Sequence, residues 1–225
     1  MIDWQVVTLT LKLSLSVTLS LCLVCIPLAW WLSQTKAAYR DWVASIVTLP
    51  MVLPATVLGF YLLVFFSPNG IVGSWLNTLG LGTIPFSFTG IVIACVIHTL
   101  PFVVMPLRNG FESLGKEPFE AAATLGCSPV NTFLKVALPL SWPFIFSSMI
   151  LGFCHALGEF GIVLMIGGNI PGETRVMSVE IYNLVESMEF QKAHYLSISL
   201  LTFSFVALMS AHKLNQWAVK RGGCG

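Results

Sequence analysis

A chain of 225 residues that is 56% hydrophobic and only 9% charged, with a mean hydropathy of +0.86, cannot cover a globular surface with polar groups. Soluble domains carry about 25% charged residues, so lipid is the solvent for most of this chain. The formal net charge of +1 gives no ground for a nucleic-acid partner, and the charges inform only by position.

The opening Met-Ile-Asp-Trp-Gln lacks a positive n-region. The apolar run behind it is too long for a signal peptide and has no small-residue cleavage site, so it reads as a retained anchor. A spanning helix needs about 20 mostly apolar residues. The stretches Val6 to Leu32, Val43 to Phe66, Phe86 to Leu107, Leu140 to Ile166 and Tyr195 to Leu214 qualify. The expected fold is an all-α integral membrane bundle of five spans, with six as the alternative, forming one domain over 1–225. Pro27, Pro50, Pro54, Pro101, Pro106 and Pro143 interrupt the spans, and the carbonyls they free must find partners in neighbouring helices or water. Small hydroxyl residues recur in the first and last spans (Ser14, Ser16, Thr18, Ser20; Ser197, Ser199, Thr202, Ser204), where they permit close helix packing. Cys22 and Cys25 have metal-like spacing but no His or carboxylate beside them, and read as helix packing.

The basic residues divide by loop. Lys36 and Arg40 lie in the first loop, Arg108, Lys116 and Lys135 in the third, and Lys213, Lys220 and Arg221 in the tail. The second loop, Ser67 to Pro85, has no Lys or Arg, and the fourth has Arg175 and Lys192 against Glu173, Glu180, Glu186 and Glu189. Lys12, inside the first span, reads as snorkelling outward. The positive-inside rule then places the N-terminus outside and the tail in the cytoplasm of a multi-pass inner-membrane protein. The fourth loop, 167–194, is the large external element. Its Gly168-Asn-Ile-Pro-Gly-Glu-Thr-Arg175 marks a turn, and Val176 to Tyr182 is either an amphipathic helix on the membrane or a segment folded back into the bundle.

The cytoplasmic loop 108–139 reads as two short helices. Pro118 suits a first helical position, Glu120 lies in the first turn where the dipole favours a carboxylate, and Ala121, Ala122 and Ala123 are strong helix formers with little bulk. Gly126 fits a cap with positive φ. Ser128 and Pro129 read as a second N-cap and first position, with that helix ending near Pro139, where the fourth span begins.

The order Glu120-Ala-Ala-Ala-Thr-Leu-Gly126 followed by Val136-Ala-Leu-Pro139 resembles the EAA loop of ABC importer permeases, with Val136 where Ile is usual. The resemblance implies that Glu120, Ala121, Ala122, Gly126, Leu138 and Pro139 form a coupling helix docked on an ATP-binding subunit. It implies two copies of this chain and two of that subunit, with ATP and Mg on the partner and no cofactor here. Consistently, the chain has no G-x-x-x-x-G-K-[ST] phosphate loop. An external binding protein would deliver the cargo, with Asn169, Glu173, Thr174 and Arg175 as its candidate docking loop.

Within the spans the ionisable groups are His98, His155 and Glu159, candidates for the substrate pathway because such residues are costly in lipid. Each has a plainer reading. Glu159 lies about 28 Å along a helix from Leu140, near its outer end, where an exposed carboxylate is ordinary. His155 is one turn earlier and able to pair with it, and His98 stands where Pro101 frees a carbonyl. No carboxylate is expected in the middle of a span. The segment Ala156-Leu-Gly-Glu159-Phe-Gly161, with Pro171-Gly-Glu-Thr-Arg175 and Ile181-Tyr182, resembles the molybdate branch of the permease family, and implies transport of that oxyanion by alternating access. A tungstate or sulfate/thiosulfate permease is the neighbouring alternative. A self-contained carrier, channel or membrane enzyme is the remote one, since the spans show no catalytic constellation.

Overall fold

The computed structural model describes residues 4–80 and 82–222, the side chains of 211, 212 and 214–222 excepted. Cys224 and the side chains of Lys220 and Arg221 therefore lie outside the described residues. The elements in chain order are α1 (Trp4–Gln34), α2 (Arg40–Val52), α3 (Ala55–Phe66), α4 (Ile71–Thr78), α5 (Phe88–Ser113), α6 (Glu117–Thr124), α7 (Pro129–Thr132), a π-helical turn (Phe133–Ala137), α8 (Leu138–Leu157), α9 (Gly161–Gly167), α10 (Met177–Glu186) and α11 (Phe190–Gly222). Among the described residues, five stretches are long and apolar enough to cross a membrane, as expected.

The centre is α1, α5 and α8 packed on one another. Along α1 the buried residues are Val6, Leu9, Thr10, Leu13, Ser14, Val17, Leu21, Cys25, Ala29 and Leu32, a stripe at helical spacing. Leu15, Leu19 and Leu23 on other faces are exposed, the surface expected to meet lipid. The stripe hydroxyls are satisfied inside the helix: Thr10 donates to the Val6 carbonyl at 2.7 Å and Ser14 to the Thr10 carbonyl at 3.0 Å. Cys25 is fully buried in the core, consistent with packing.

Three expectations need correction. The second expected span, Val43 to Phe66, breaks at Leu53 and Pro54. The qualifying stretch is Ala55–Thr78, and α4 occupies what reads from sequence as loop. Proline explains the break, because the residue before it is pushed to extended backbone: Leu53 has ψ 137°.

The second helix of the 108–139 loop does not end at Pro139. The run from Pro129 to Leu157 is continuous, with the Leu138 N–H reaching the Phe133 carbonyl in a π turn. Pro139 has no N–H, and its ring crowds the preceding turn; the widened turn accommodates it without ending the helix.

The fourth span, conversely, is not one helix through Ile166. It breaks at 158–160 and resumes as α9, which packs on α3 and α5. Of the alternatives for Val176 to Tyr182, the structure adopts the folded-back one: Met177 and Val179 are buried, and α10 contacts α1 and α11.

Candidate functional site

The coupling-type loop is built from residues that cap and anchor it. Helix α6 starts with Pro118 in its first turn and Glu117 and Glu120 near its positive end. At its other end Gly126 has φ +75°. The Gly126 N–H bonds the Ala123 carbonyl and the Cys127 N–H the Ala122 carbonyl, both at 3.0 Å. That pair of bonds is the Schellman closure, which calls for glycine at the left-handed position. Ser128 then caps α7 by accepting the Asn131 N–H, as expected. Ala122 is the buried residue of α6, while Glu120, Ala121 and Gly126 are exposed. Leu125, Val130 and Leu134 are also exposed, so the loop offers a small-residue and aliphatic surface. Leu138 is half-buried and Pro139 exposed, both in the first turn of α8.

What holds this loop to the bundle was not anticipated from sequence. Trp30, near the end of α1, meets the rings of Phe111, Phe119 and Phe133 at 5.3, 5.0 and 5.7 Å. It thus joins α1, α5, α6 and the π turn. Offset aromatic pairs are worth about 0.5–1.5 kcal/mol each beyond area burial. The sequence signal was faint: Phe119 directly precedes Glu120, and Phe133 stands within the loop. Beside this hub, Arg40 donates to the Leu32 carbonyl at 2.8 Å and to Glu112 Oε1 at 2.8 Å, and Glu112 also accepts from Arg108 at 2.9 Å. The first loop and the end of α5 are thereby at one end of the bundle. These pairs are partly exposed, so each adds at most about 1 kcal/mol.

His98, His155 and Glu159 come together. His98 Nδ1 is 3.0 Å from Glu159 Oε2, His155 Nε2 is 3.6 Å from the same oxygen, and the two ring nitrogens are 3.4 Å apart. The plainer readings of Glu159 and His98 fail here. Glu159 is 7% exposed, not an outer-end carboxylate in solvent. His98 bonds Glu159 rather than a carbonyl freed by Pro101. Depth is corrected as well. His98 is about 15 Å along α5 from Phe88, with about 22 Å still to run to Ser113, so a carboxylate does sit well inside the bundle. The break in the fourth span explains it: α8 stops partway along the bundle, and α9 continues away from the 108–139 loop until the Ile166 carbonyl accepts the Phe86 N–H at 2.8 Å. The Glu159 side chain also accepts the Ile162 N–H at 3.4 Å, and its backbone carbonyl accepts Ser178 Oγ at 2.6 Å. Phe102 stacks on His155 at 4.0 Å.

At the other end, the 167–194 segment is closed by its own polar groups. Thr174 is fully buried, donates to the Gly167 carbonyl at 2.7 Å and accepts the Ile170 N–H. Arg175 donates to Asn169 Oδ1 at 2.8 Å and pairs with Glu180 at 3.7 Å; Asn169 and Asn183 exchange amide bonds. Of the docking candidates, Asn169, Thr174 and Arg175 hold the loop's shape, whereas Glu173 is exposed. A cleft of about 830 Å³ opens between this loop, α10 and α11, with Arg175, Glu180, Glu186, Glu189 and Lys192 on its walls. Lys12 is exposed and lies 4.6 Å from the centre of the Phe88 ring, a cation–π contact.

A helical bundle with five stretches long and apolar enough to cross a membrane, a capped loop at one end and a folded polar loop at the other has the build of a multi-pass membrane protein. Residues 25–219 match the family described as binding-protein-dependent transport system inner membrane component, and the chain belongs to that family. It is 48% identical over 210 residues to the molybdenum transport system permease protein ModB of Azotobacter vinelandii, covering 93% of each chain. It is 34% identical over 187 residues to the sulfate transport system permease protein CysT of Escherichia coli, covering 83% of this chain and 67% of that one. Among solved structures, a bacterial ABC transporter that imports the acidic polysaccharide alginate superposes with a TM-score of 0.76 at 21% identity, covering 94% of this chain and 78% of that chain. This last likeness speaks to the fold.

Proposed function

We propose that this chain is the permease subunit of an ATP-driven importer for molybdate, carrying the oxyanion inward by alternating access. The observation that carries the substrate is the 48% identity to a molybdenum permease over 93% of both chains, against 34% and 67% coverage for a sulfate permease. The chain supplies no ATP chemistry of its own. ATP and Mg act on a separate ATP-binding subunit, two copies of which dock on two copies of this chain. Glu120, Ala121, Ala122, Gly126, Leu138 and Pro139 present the docking surface. The exposed alanine face lets a partner approach, and the Trp30 hub transmits its displacement to α1 and α5.

Orientation follows the charges, with the N-terminus outside and the tail in the cytoplasm. In support, Arg40 and Glu112 bring the basic first loop to the same end as the coupling loop, while Phe86 and Ile166 join the second and fourth loops at the other. The external binding protein docks on the Asn169–Arg175 loop, where Glu173 faces outward. His98, His155 and Glu159 border the pathway, with His155 the most accessible of the three side chains.

The test is uptake of radiolabelled molybdate by cells carrying this chain with its ATPase and binding protein. Uptake blocked by excess tungstate but not sulfate is expected. Sulfate-sensitive uptake, or none, overturns the substrate.

A further inference from the structure

We infer that His98, His155 and Glu159 form a binding site for a single zinc-class divalent cation inside the bundle. Their donor atoms make a triangle with sides of 3.0, 3.4 and 3.6 Å. Zinc binds imidazole nitrogen and carboxylate oxygen at about 2.0–2.2 Å in a tetrahedron, and the edge of that tetrahedron is about 3.3 Å. The three atoms are thus spaced as three corners around one ion.

Hydrogen bonding alone serves the triangle poorly. A proton on His98 Nδ1 satisfies the 3.0 Å side to Glu159. The other two sides then hold either facing lone pairs or a second N–H aimed at the same small space. A cation takes all three lone pairs at once. The ligand set is two imidazoles and one carboxylate, which suits zinc, cobalt or nickel; magnesium and calcium prefer oxygen cages.

The surroundings orient the ligands as an outer shell does. Phe102 stacks on the His155 ring at 4.0 Å and 25°, the Ile162 N–H holds Glu159 Oε1, and Ser178 holds the Glu159 backbone carbonyl. The His98 and Glu159 side chains are 11% and 7% exposed and that of His155 is 24%, so the open fourth position and the entry path lie on the His155 side. One ligand comes from the last turn of α8, one from the break between α8 and α9 and the third from α5, so a seated ion ties the broken span to the central helix. A dication here also leaves the cluster with a net positive charge.

The test needs neither cargo nor ATPase, so its outcome is separate from that of the transport assay. The full chain, purified in detergent and stripped with chelator, is dialysed against trace Zn²⁺ and its metal content measured. One zinc retained per chain is expected, with Glu159→Gln and His155→Asn each weakening retention by more than the about 10–100-fold that losing an outer-shell partner costs. No zinc in the wild-type chain, or equal zinc in the His98→Asn/His155→Asn/Glu159→Gln triple variant, overturns the site; zinc held by thiols survives in that variant and counts against it. A second measurement uses the wild type alone. Zn²⁺, and not Mg²⁺, is expected to slow acylation of His155 by diethyl pyrocarbonate, read by mass spectrometry. Equal modification in both also overturns the proposal.

Discussion

Thr10 and Met177 are 167 positions apart, yet the Met177 backbone N–H donates to Thr10 Oγ1 at 2.8 Å. This bond pins the first turn of α10 to α1 and helps hold the 167–194 segment folded back on the bundle. Thr10 is 1% exposed and donates its own proton to the Val6 carbonyl, so the hydroxyl is fully used. Thr10→Val keeps the shape and removes both bonds. Leaving a buried donor unpaired costs about 1–3 kcal/mol. A lower thermal midpoint in detergent is expected; an unchanged midpoint would remove this bond from the account of the loop.

Gly126 tests the proposed coupling role of the 108–139 loop. A Cβ there meets nothing within 4 Å, so any penalty comes from φ +75° alone. For a β-branched residue that conformation costs about 1–2 kcal/mol. Gly126→Val should abolish most uptake while the protein inserts at wild-type levels. Gly126→Asn, which tolerates the left-handed region, should retain more. Normal uptake in the valine variant sinks the lever reading.

Trp30 tests the anchor of the same loop. Trp30→Ala removes ring contacts to Phe111, Phe119 and Phe133, worth about 0.5–1.5 kcal/mol each. ATP hydrolysis by the assembled transporter should persist while molybdate uptake falls, since the loop still presents its surface but is no longer tied to α1. Trp30→Phe should recover part of the uptake. Parallel loss of hydrolysis and uptake would assign the hub to assembly instead.

Gly152 tests the contact between α5 and α8. A Cβ there would stand 2.6 Å from Val103 Cγ2, and Val103 is fully buried. Gly152→Ala should destabilise by about 1–3 kcal/mol through overpacking. Val103→Ala in the same chain should restore much of the loss, a coupling that a double-mutant cycle reads directly. Additive losses would show that the helices do not meet at this point.

Local chemistry determined much of this protein. Lipid as the solvent, the number of spanning stretches, the Gly126 cap and the Ser128 N-cap follow from composition and from conformational preferences that act within a few residues. The spacing of the EAA segment carries the family resemblance for the same reason: it is a contiguous helix and its caps. Proline positions announced breaks, but not how each is resolved. Leu53 and Pro54 end a helix, while Pro139 is absorbed in a π turn, because neighbouring packing decides whether the freed carbonyl and the ring are tolerated. Tertiary structure alone decided the depth of Glu159. Its partner His98 is 61 positions away, and the helix break that carries the carboxylate to mid-bundle has no short-range signature beyond Gly158 and Gly161. The Trp30 hub and the Thr10–Met177 bond belong to the same class. They join residues that the chain separates, and only the packing of α1 against the rest of the bundle brings them within reach.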